Sequence, residues 1–346
     1  MEFEALFDVP VIQGPMAGGA CTPELVAAVS NAGGLGAFPG SLLAPQVIEE
    51  QVARIRSLTS RPFMLNFFVQ GTPAPTDEEV EHAIDLLRPV WTSLGWSELP
   101  HPKKWNEDFA AQFDTLVALR PAAASFTFGI LEAGQVERLH AAGILVVGTV
   151  TTVEEALAWQ ALGADAVVAS GVEAGGHRGT FIGRQEDATL GASELWPQVA
   201  AAVAIPVIAA GGIMTSADIK RALAAGARAV QMGTAFLVTD EAGIHPAYKA
   251  RLIGGSGSTR LTRSFSGRYA RGIENRFMQQ MAAVEARVPP YPIQNALTGP
   301  IRAAAAASGD TELMSMWAGT EFARARPMPA GRLVELLAAE LQSLQS

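Results

Sequence analysis

Residues 206–234 read PVIAAGGIMTSADIKRALAAGARAVQMGT. This stretch contains two short apolar runs, at 206–210 and 229–232, and the segment between them has the length and mixed polarity of one amphipathic helix. Thr215 occupies the position of a helix N-cap, and Gly226 occupies the position where a left-handed residue ends a helix. Strand, glycine turn, capped helix and strand in this order predict a βα unit whose two strands run parallel.

The same unit recurs along the chain. Helix starts resembling the one at Thr215 occur at Thr22, just before Pro23, and at the Thr151-Thr152 pair. Apolar runs with the length of buried strands lie at 10–13, 34–38, 62–68, 123–128, 145–150, 166–170, 206–210 and 229–232. Eight such runs in a chain of 346 residues predict a closed (β/α)8 TIM barrel within the α/β class.

Two segments depart from this alternation of strands and helices. Residues 71–120 are rich in proline and contain one predicted helix, at 76–87, so we interpret them as an insertion after the third strand that forms a lid or a side subdomain. Beyond Phe236 the βα pattern stops, and 254–258 has the composition of a flexible loop. The predicted organisation is a barrel made of 1–70 and 121–245, an insertion at 71–120, and an arginine-rich segment with C-terminal helices at 246–346 that covers the active-site side.

The composition argues against several classes of protein. Charged or polar residues interrupt every apolar run before it reaches membrane-spanning length, so a soluble protein is expected. The acidic start MEFEALFD lacks the basic and apolar regions of a signal peptide, which favours the cytoplasm. Cys21 is the single cysteine and there is no Cys/His cluster with metal-ligand spacing, so neither an internal disulfide nor a zinc or iron-sulfur site is expected.

Charge is distributed unevenly along the chain. The net charge of −9 disfavours general binding to nucleic acid. Residues 249–302 nevertheless hold nine basic and two acidic residues, which makes that segment +7 and the remainder −16. Such a local cationic region fits a small anionic ligand, although a solvated arginine surface paired with acidic residues elsewhere is an equally valid interpretation.

Candidate site residues follow the predicted strands, because a (β/α)8 barrel gathers its reactive groups at the carboxyl ends of its strands. The first strand leads into a loop of small residues, the third ends in an amide side chain, and the sixth, seventh and eighth end in glycine-rich loops. These residues are Pro15, Met16, Ala17, Gly18, Asn66, Gly175, Gly176, His177, Gly211, Gly212, Gln231, Gly233 and Thr234.

The glycine turns after the seventh and eighth strands are the most specific signal. Each is expected to open toward a helix N-terminus, where free amides and the helix dipole attract a phosphate. Together with the small-residue loop and Asn66, they point to flavin mononucleotide (FMN), with its phosphate at Gly211-Gly212 and Gly233-Thr234 and its ring near 16–18. The alternative is that these glycines form tight turns without a ligand.

His177 is the candidate catalytic residue. It lies between glycines at the carboxyl end of the sixth strand, where main chain and a titratable ring can both approach a ligand. The alternative is a structural histidine that bonds only to backbone. The other four histidines, at 82, 101, 140 and 245, are interpreted as surface residues, and Cys21 as a small packing residue.

Five motifs resemble those of the nitronate monooxygenases, formerly called 2-nitropropane dioxygenases, and the last two and the Ser-Phe-x-Phe-Gly strand resemble class I in particular. They are Gln13-Gly-Pro-Met-Ala-Gly18, Ser125-Phe-Thr-Phe-Gly129, Gly171-Val-Glu-Ala-Gly-Gly-His-Arg-Gly179, Ser264-Phe-Ser-Gly-Arg-Tyr-Ala-Arg271 and Pro290-Tyr-Pro-Ile-Gln-Asn295.

The resemblance implies an enzyme with non-covalent FMN that oxidises an alkyl nitronate, with propionate 3-nitronate favoured, using O2 and no NAD(P)H. The products would be a carbonyl compound and nitrite. His177 would orient the nitronate or take the α-proton of a neutral nitroalkane, and Ser125, Tyr291 and Arg268 would bind substrate. The implied partners are a small anionic nitronate and O2, with no nucleic acid or membrane, for a monomer or homodimer.

The sequence is also compatible with two other functions. An NAD(P)H-dependent FMN reductase of a quinone or an enoyl thioester would share the barrel and the histidine loop. A flavin-binding protein without turnover would share the cofactor site but would leave His177 without a task. A nucleotide dehydrogenase on this barrel would need a cysteine in the sixth-strand loop, and the chain has none there.

Overall fold

A computed structural model describes residues 2–344, so Met1, Gln345 and Ser346 at the ends of the predicted segments lie outside the described residues. The strands in chain order are β1 (Val11–Gln13), β2 (Gly36–Pro39), β3 (Phe63–Phe68), β4 (Ala123–Thr127), β5 (Leu145–Val150), β6 (Ala166–Ser170), β7 (Gly176–His177), β8 (Val207–Ala210), β9 (Ala229–Met232), β10 (Thr259–Thr262) and β11 (Ala270–Ile273).

Eight of these strands form one parallel sheet in the order β1-β9-β8-β6-β5-β4-β3-β2. A parallel bridge between Ile12 and Leu35 joins β1 to β2 and closes the sheet. The (β/α)8 barrel is therefore confirmed, and each of the eight predicted strands begins and ends within two residues of an observed one.

The helices lie around and beyond the barrel. In chain order they are α1 (Pro23–Asn31), α2 (Pro45–Leu58), α3 (Asp77–Ser93), α4 (Phe109–Leu119), α5 (Ala133–Ala141), α6 (Val153–Leu162), α7 (Ala192–Ala202), α8 (Ser216–Ala224), α9 (Thr234–Leu237), α10 (Pro246–Ile253), α11 (Arg276–Met281), α12 (Ile293–Ser308) and α13 (Ala330–Ser343). Within residues 2–344, no helix has the length and apolar character needed to span a membrane.

Apolar residues form separate layers inside and outside the sheet. Ile12, Met64, Val168 and Ile208 belong to a cluster that also contains Phe3 and Leu6 from the N-terminal turn. A larger cluster lies between the sheet and its helices, and there Gly148 faces Trp159 so closely that a Cβ would lie 2.3 Å from the indole. Since these layers fill the barrel, a ligand must bind at an end of it.

The segment between β3 and β4 contains two helices that pack in different places. α4 contacts α2, and its Phe113 and Leu116 join the barrel cluster. α3 contacts α11 and α12, and its Leu87 and Trp91 join a second cluster with the C-terminal helices. Within the proposed 71–120 insertion, α4 thus packs as a barrel helix and α3 as part of the C-terminal layer.

A second, antiparallel sheet has the order β10-β11-β7. It ties the loop after β6 to the C-terminal segment, with Ala270 paired to His177 and Arg271 to Gly176. The sequence did not predict this sheet, because a two-residue strand carries no periodicity and its partner lies about ninety residues later in the chain.

Candidate active site

A cavity of about 720 Å³ lies at the carboxyl ends of the barrel strands. Its volume is within the range of sites for small molecules and cofactors. Every site residue that the sequence predicted lines this cavity except Arg268: Pro15, Met16, Ala17, Gly18, Asn66, Ser125, Gly175, Gly176, His177, Gly211, Gly212, Gln231, Gly233, Thr234 and Tyr291.

One end of the cavity presents main-chain amides that could donate hydrogen bonds. Gly211 and Gly212 have φ of +111° and +70°, so their turn has a conformation that side-chain-bearing residues rarely adopt. Within residues 2–344, the amides of Gly211, Gly212 and Gly233 have no protein acceptor. The Thr234 hydroxyl accepts a bond from Gly319 N at 3.0 Å, which leaves its own proton for a ligand. Loop amides and one hydroxyl therefore converge on this end.

A carboxylate lies at the start of the helix that follows this glycine turn. The Asp218 carboxylate accepts hydrogen bonds of 3.0 Å from Met214 N and Thr215 N, the amides of the two residues that precede α8. Burial opposes ionisation of Asp218, but these bonds and the nearby Arg324 hold its pKa below the ordinary value. Thr215 is the N-cap of α8, as the sequence predicted.

The middle of the cavity presents groups suited to a flat heterocycle. Oε1 of Gln231 is buried without a hydrogen-bond donor in the described protein. Asn66 is 3% exposed and donates to Ser125 Oγ at 3.0 Å. An acceptor without a protein donor in the same cavity suits a donor from a bound ligand, because an unsatisfied buried carbonyl is costly.

Cys21 holds the loop that forms one wall of this region. Its Sγ lies 3.0 Å from both Met16 N and Gln13 Nε2. Burial raises the pKa of the Cys21 thiol to about 12, so the thiol stays protonated. The interpretation of Cys21 as a packing residue is consistent with this placement.

His177 faces the cavity from β7. Its Nε2 lies 2.8 Å from Ser266 Oγ, and its ring packs against Phe128, Tyr291 and Trp317 at centroid distances of 5.5, 5.7 and 5.3 Å. Burial, together with the charges of Arg268 and Arg302, lowers the pKa of His177 to about 3. The imidazole is therefore neutral at physiological pH.

Three ionic side chains, two of them buried and the third half-buried, shape the loop around His177. Arg178 is 1% exposed and donates to the carbonyls of Ser170 and Gly171 at 2.9 and 2.8 Å. Glu155 is fully buried and accepts bonds from the amides of residues 181 and 182. These bonds fix the backbone on both sides of the histidine.

Arg268 is the third of these side chains. It donates to the carbonyls of Arg178, at 2.8 Å, and Thr180, and its guanidinium lies 4.2 Å from the centroid of Phe128. The structure thus places Arg268 behind the wall of the cavity, with its polar groups engaged by backbone, rather than with the residues that line it.

Arg302 is the arginine that lines the cavity. Its Nη2 donates to the main-chain and side-chain oxygens of Asn295 at 2.7 and 3.0 Å, and its Nε is buried without an acceptor. No carboxylate within residues 2–344 forms a salt bridge with it. By contrast, Arg260 and Arg276 of the basic segment pair with Glu285 and Asp310. Among the basic residues of 249–302, only Arg302 belongs to the lining of this cavity.

Aromatic side chains form the wall opposite the barrel. Phe128 has φ of +78°, a strained value for a non-glycine residue, and stacks on Phe68 at 4.1 Å. Tyr291 packs against the edges of both rings, and burial raises its pKa to about 12. The cavity thus has an apolar wall with neutral polar groups set into it.

Sequence reasoning missed several residues of the site. Phe68, Phe128 and Trp317 belong to segments already noted, but nothing local marks which of their side chains face a ligand. His245 lines the cavity and caps α10 through Nδ1, at 3.1 Å from Ala247 N, so its interpretation as a surface residue was wrong. The spacing of Asn295, Gly299, Arg302 and Ala306 on α12 was the available signal, since residues three or four apart share one helix face.

The chain matches the family model described as nitronate monooxygenase over residues 3–340. A probable nitronate monooxygenase from Staphylococcus haemolyticus is 39% identical over 338 residues, which cover 97% of this chain and 94% of the relative. A probable nitronate monooxygenase from Staphylococcus aureus strain Newman is 40% identical over 329 residues, covering 94% and 92% of the two chains.

The chain is also similar in sequence and fold to two solved structures. The nitroalkane oxidase from Streptomyces ansochromogenes is 43% identical, covers 99% of this chain and 98% of its own, and superposes with a TM-score of 0.90. FabK from Thermotoga maritima is 26% identical, covers 98% and 94% of the two chains, and has a TM-score of 0.75.

We expect the environment of His177 to make folding sensitive to acid. The unfolded imidazole takes up a proton near pH 6.5 and the folded one only near pH 3, so the free energy of unfolding falls as the pH drops through this interval. Urea unfolding at about pH 7 and about pH 5.5 should show that the wild type loses roughly 1 kcal/mol more than His177→Asn. Equal losses in the two proteins would mean that His177 titrates normally in the folded state.

Proposed function

The chain belongs to the nitronate monooxygenase family of flavin-dependent oxidoreductases, and we propose that it uses FMN and O2 to oxidise alkyl nitronates, above all propionate 3-nitronate, to a carbonyl compound and nitrite without NAD(P)H. The observation that carries the proposal is the content of one cavity within residues 2–344: loop amides and a Gln231 carbonyl without partners, a neutral His177, and an Arg302 that no carboxylate pairs with.

The residues of the cavity fit FMN in particular. The amides of Gly211, Gly212 and Gly233 and the Thr234 hydroxyl would hold a phosphate, which needs several donors at once. Gln231 and Asn66 would bond the polar edge of the ring, and the 15–18 loop would lie along it. When bound, FMN supplies the electron transfer between substrate and O2.

The other groups suit an anion that arrives already deprotonated. A neutral His177 imposes no charge of its own, and no proton has to be removed from a nitronate. Arg302 supplies a cation without a carboxylate partner, so a substrate carboxylate would neutralise it. Tyr291 and Ser125 would complete the substrate side, as their place in the lining allows.

The main alternative is an NAD(P)H-dependent flavin reductase of a quinone or an enoyl thioester. A nitronate is a carbanion equivalent that itself supplies the electrons, so the proposed reaction needs no second reductant. Location in the cytoplasm and a monomeric or homodimeric state stay predictions.

The purified enzyme should consume O2 and release nitrite when propionate 3-nitronate is added without NADH. Anaerobic mixing with NADH should leave the flavin absorbance unchanged over the same period, with propionate 3-nitronate as the positive control. Rapid bleaching by NADH without nitrite production from nitronates would favour the reductase.

Gly233→Asp should abolish retention of FMN. A Cβ at Gly233 has room, with Met16 Sδ at 3.7 Å, so the variant should fold, but its carboxylate would occupy the phosphate end. Flavin absorbance per protein chain measures the effect. Gly134→Asp is the matched control, because no atom lies within 4 Å of the added Cβ on α5. Normal FMN content in Gly233→Asp would show that the phosphate binds elsewhere.

Arg302→Met should raise KM for propionate 3-nitronate by about tenfold or more, since a charged hydrogen bond contributes roughly 1.5–3 kcal/mol. The KM for ethylnitronate, which has no carboxylate, should change by less than about threefold. Arg287→Met removes the same charge from an exposed position of the same basic segment and serves as the control. Parallel losses on both substrates would mean that Arg302 does not select the carboxylate.

A further inference from the structure

One serine hydroxyl connects the His177 ring to the protein. Ser266 is 1% exposed, and its Oγ lies 2.8 Å from His177 Nε2 and 3.0 Å from the carbonyl oxygen of Arg268. A carbonyl oxygen only accepts hydrogen bonds, so the second contact requires the serine to donate. A hydroxyl has a single proton, which means that it cannot also donate to the histidine.

The Ser266 hydroxyl can donate its proton in two directions, and these differ in which polar group is left without a hydrogen-bond partner. If Ser266 donates to Arg268 O, its oxygen accepts from a protonated Nε2 and all three groups are satisfied. If it donates to Nε2 instead, Arg268 O loses its donor, and within residues 2–344 no second donor reaches that carbonyl. The first arrangement is favoured, because an unmade hydrogen bond is costly at a buried position.

The turn that carries Ser266 is held firmly by the fold. Gly267 has φ of +81°, and a Cβ there would lie 2.2 Å from Pro289 O, so the turn is pressed against the segment that leads to Tyr291. On the other side, Arg268 donates to the carbonyl of Arg178, the residue after His177. The turn thus holds both the ring and the backbone of the histidine.

We propose that Ser266 is a positioning residue that keeps His177 in the tautomer protonated at Nε2, so that Nδ1 presents a lone pair to the α-proton of a neutral nitroalkane. Within residues 2–344, Nδ1 has no protein hydrogen bond, and the ring lines the cavity. The role in catalysis rests on the proposed function, whereas the tautomer does not.

The step balances in protons and charge. The α C–H bond breaks, its proton forms a bond with Nδ1, and the electron pair moves into the nitro group to give the nitronate. The resulting imidazolium keeps its Nε2 bond to Ser266 and lies beside the anion just formed, which offsets the cost of a buried cation. A nitronate supplied from outside does not need this step, so Ser266 should matter for one substrate form and not for the other.

The tautomer can be observed directly. In protein purified with its cofactor and labelled with ¹⁵N-histidine, the His177 ring should show a protonated Nε2 and an unprotonated Nδ1, with His177→Asn used to assign the signals. Ser266→Ala should move the ring toward the Nδ1-protonated or a mixed form, because the buried Nε2–H then lacks an acceptor. A wild-type ring protonated at Nδ1 would overturn the proposal.

Kinetics then separate a positioning role from a merely structural one. Ser266→Ala should lower kcat/KM for nitroethane by about tenfold or more, whereas the value for ethylnitronate should change by less than about threefold. Ser264→Ala is the matched control. This hydroxyl is in the same turn, is buried and has no hydrogen-bond partner within residues 2–344, so both values should stay near wild type.

Each outcome decides a different point. Equal losses on nitroethane and ethylnitronate in Ser266→Ala would overturn the positioning role. If the wild-type enzyme oxidised nitronates but not nitroethane, the positioning role would also be overturned. If it oxidised neither these two compounds nor propionate 3-nitronate, the proposed function would fail, while the ring spectrum would still decide the tautomer.

Discussion

The mouth of this barrel depends on the pairing of β7 with β11, although β7 is only two residues long. That pairing joins the loop after β6 to the C-terminal segment and sets His177 opposite Ala270. A glycine-rich loop has many conformations available when it is free, so its order must come from outside. Here the order comes from the ladder bonds and from Arg268, which reaches across to the carbonyls of Arg178 and Thr180.

The charge that the cavity presents to a ligand depends on which ionic groups already have hydrogen-bond partners in the protein. Asp218 already caps α8, and Arg268 is engaged by backbone carbonyls, so neither is left for a ligand. The loop amides of Gly211 and Gly212 have no acceptor among the described residues. Arg302 lines the cavity, and although its Nη2 bonds Asn295, its Nε has no acceptor there and no carboxylate pairs with it. Two separate positions for negative charge result, one at the glycine turns and one at α12, with a neutral histidine in the same cavity. This arrangement suits a phosphate-bearing cofactor and a separate anionic substrate.

Most of the barrel could be predicted because its signals are local. The eight apolar runs and the threonine caps depend on residues only a few positions apart, and the structure has them where expected. The glycine turns at Gly211 and Gly233 were found for the same reason, since a turn after a strand is visible in the sequence. The carboxylate of Asp218 at the start of α8 was not foreseen as the acceptor for Met214 N and Thr215 N, because that role depends on how the turn before the helix folds back. The place of α4 was likewise hidden, because its apolar face could pack on the barrel or on another layer.

The amino-acid sequence by itself determined the repeated βα unit, the strand ends where ligands gather, and the glycines and His177 that border the cavity. The tertiary structure alone decided which arginine lines the cavity, that Ser266 bonds the histidine, and that His177 is neutral. The physical reason is that the sequence patterns of helices and strands involve residues only a few positions apart. Hydrogen bonds and pKa values instead depend on atoms that are a few ångströms apart in space. Such atoms can be almost a hundred residues apart in the chain, as those of Ser266 and His177 are.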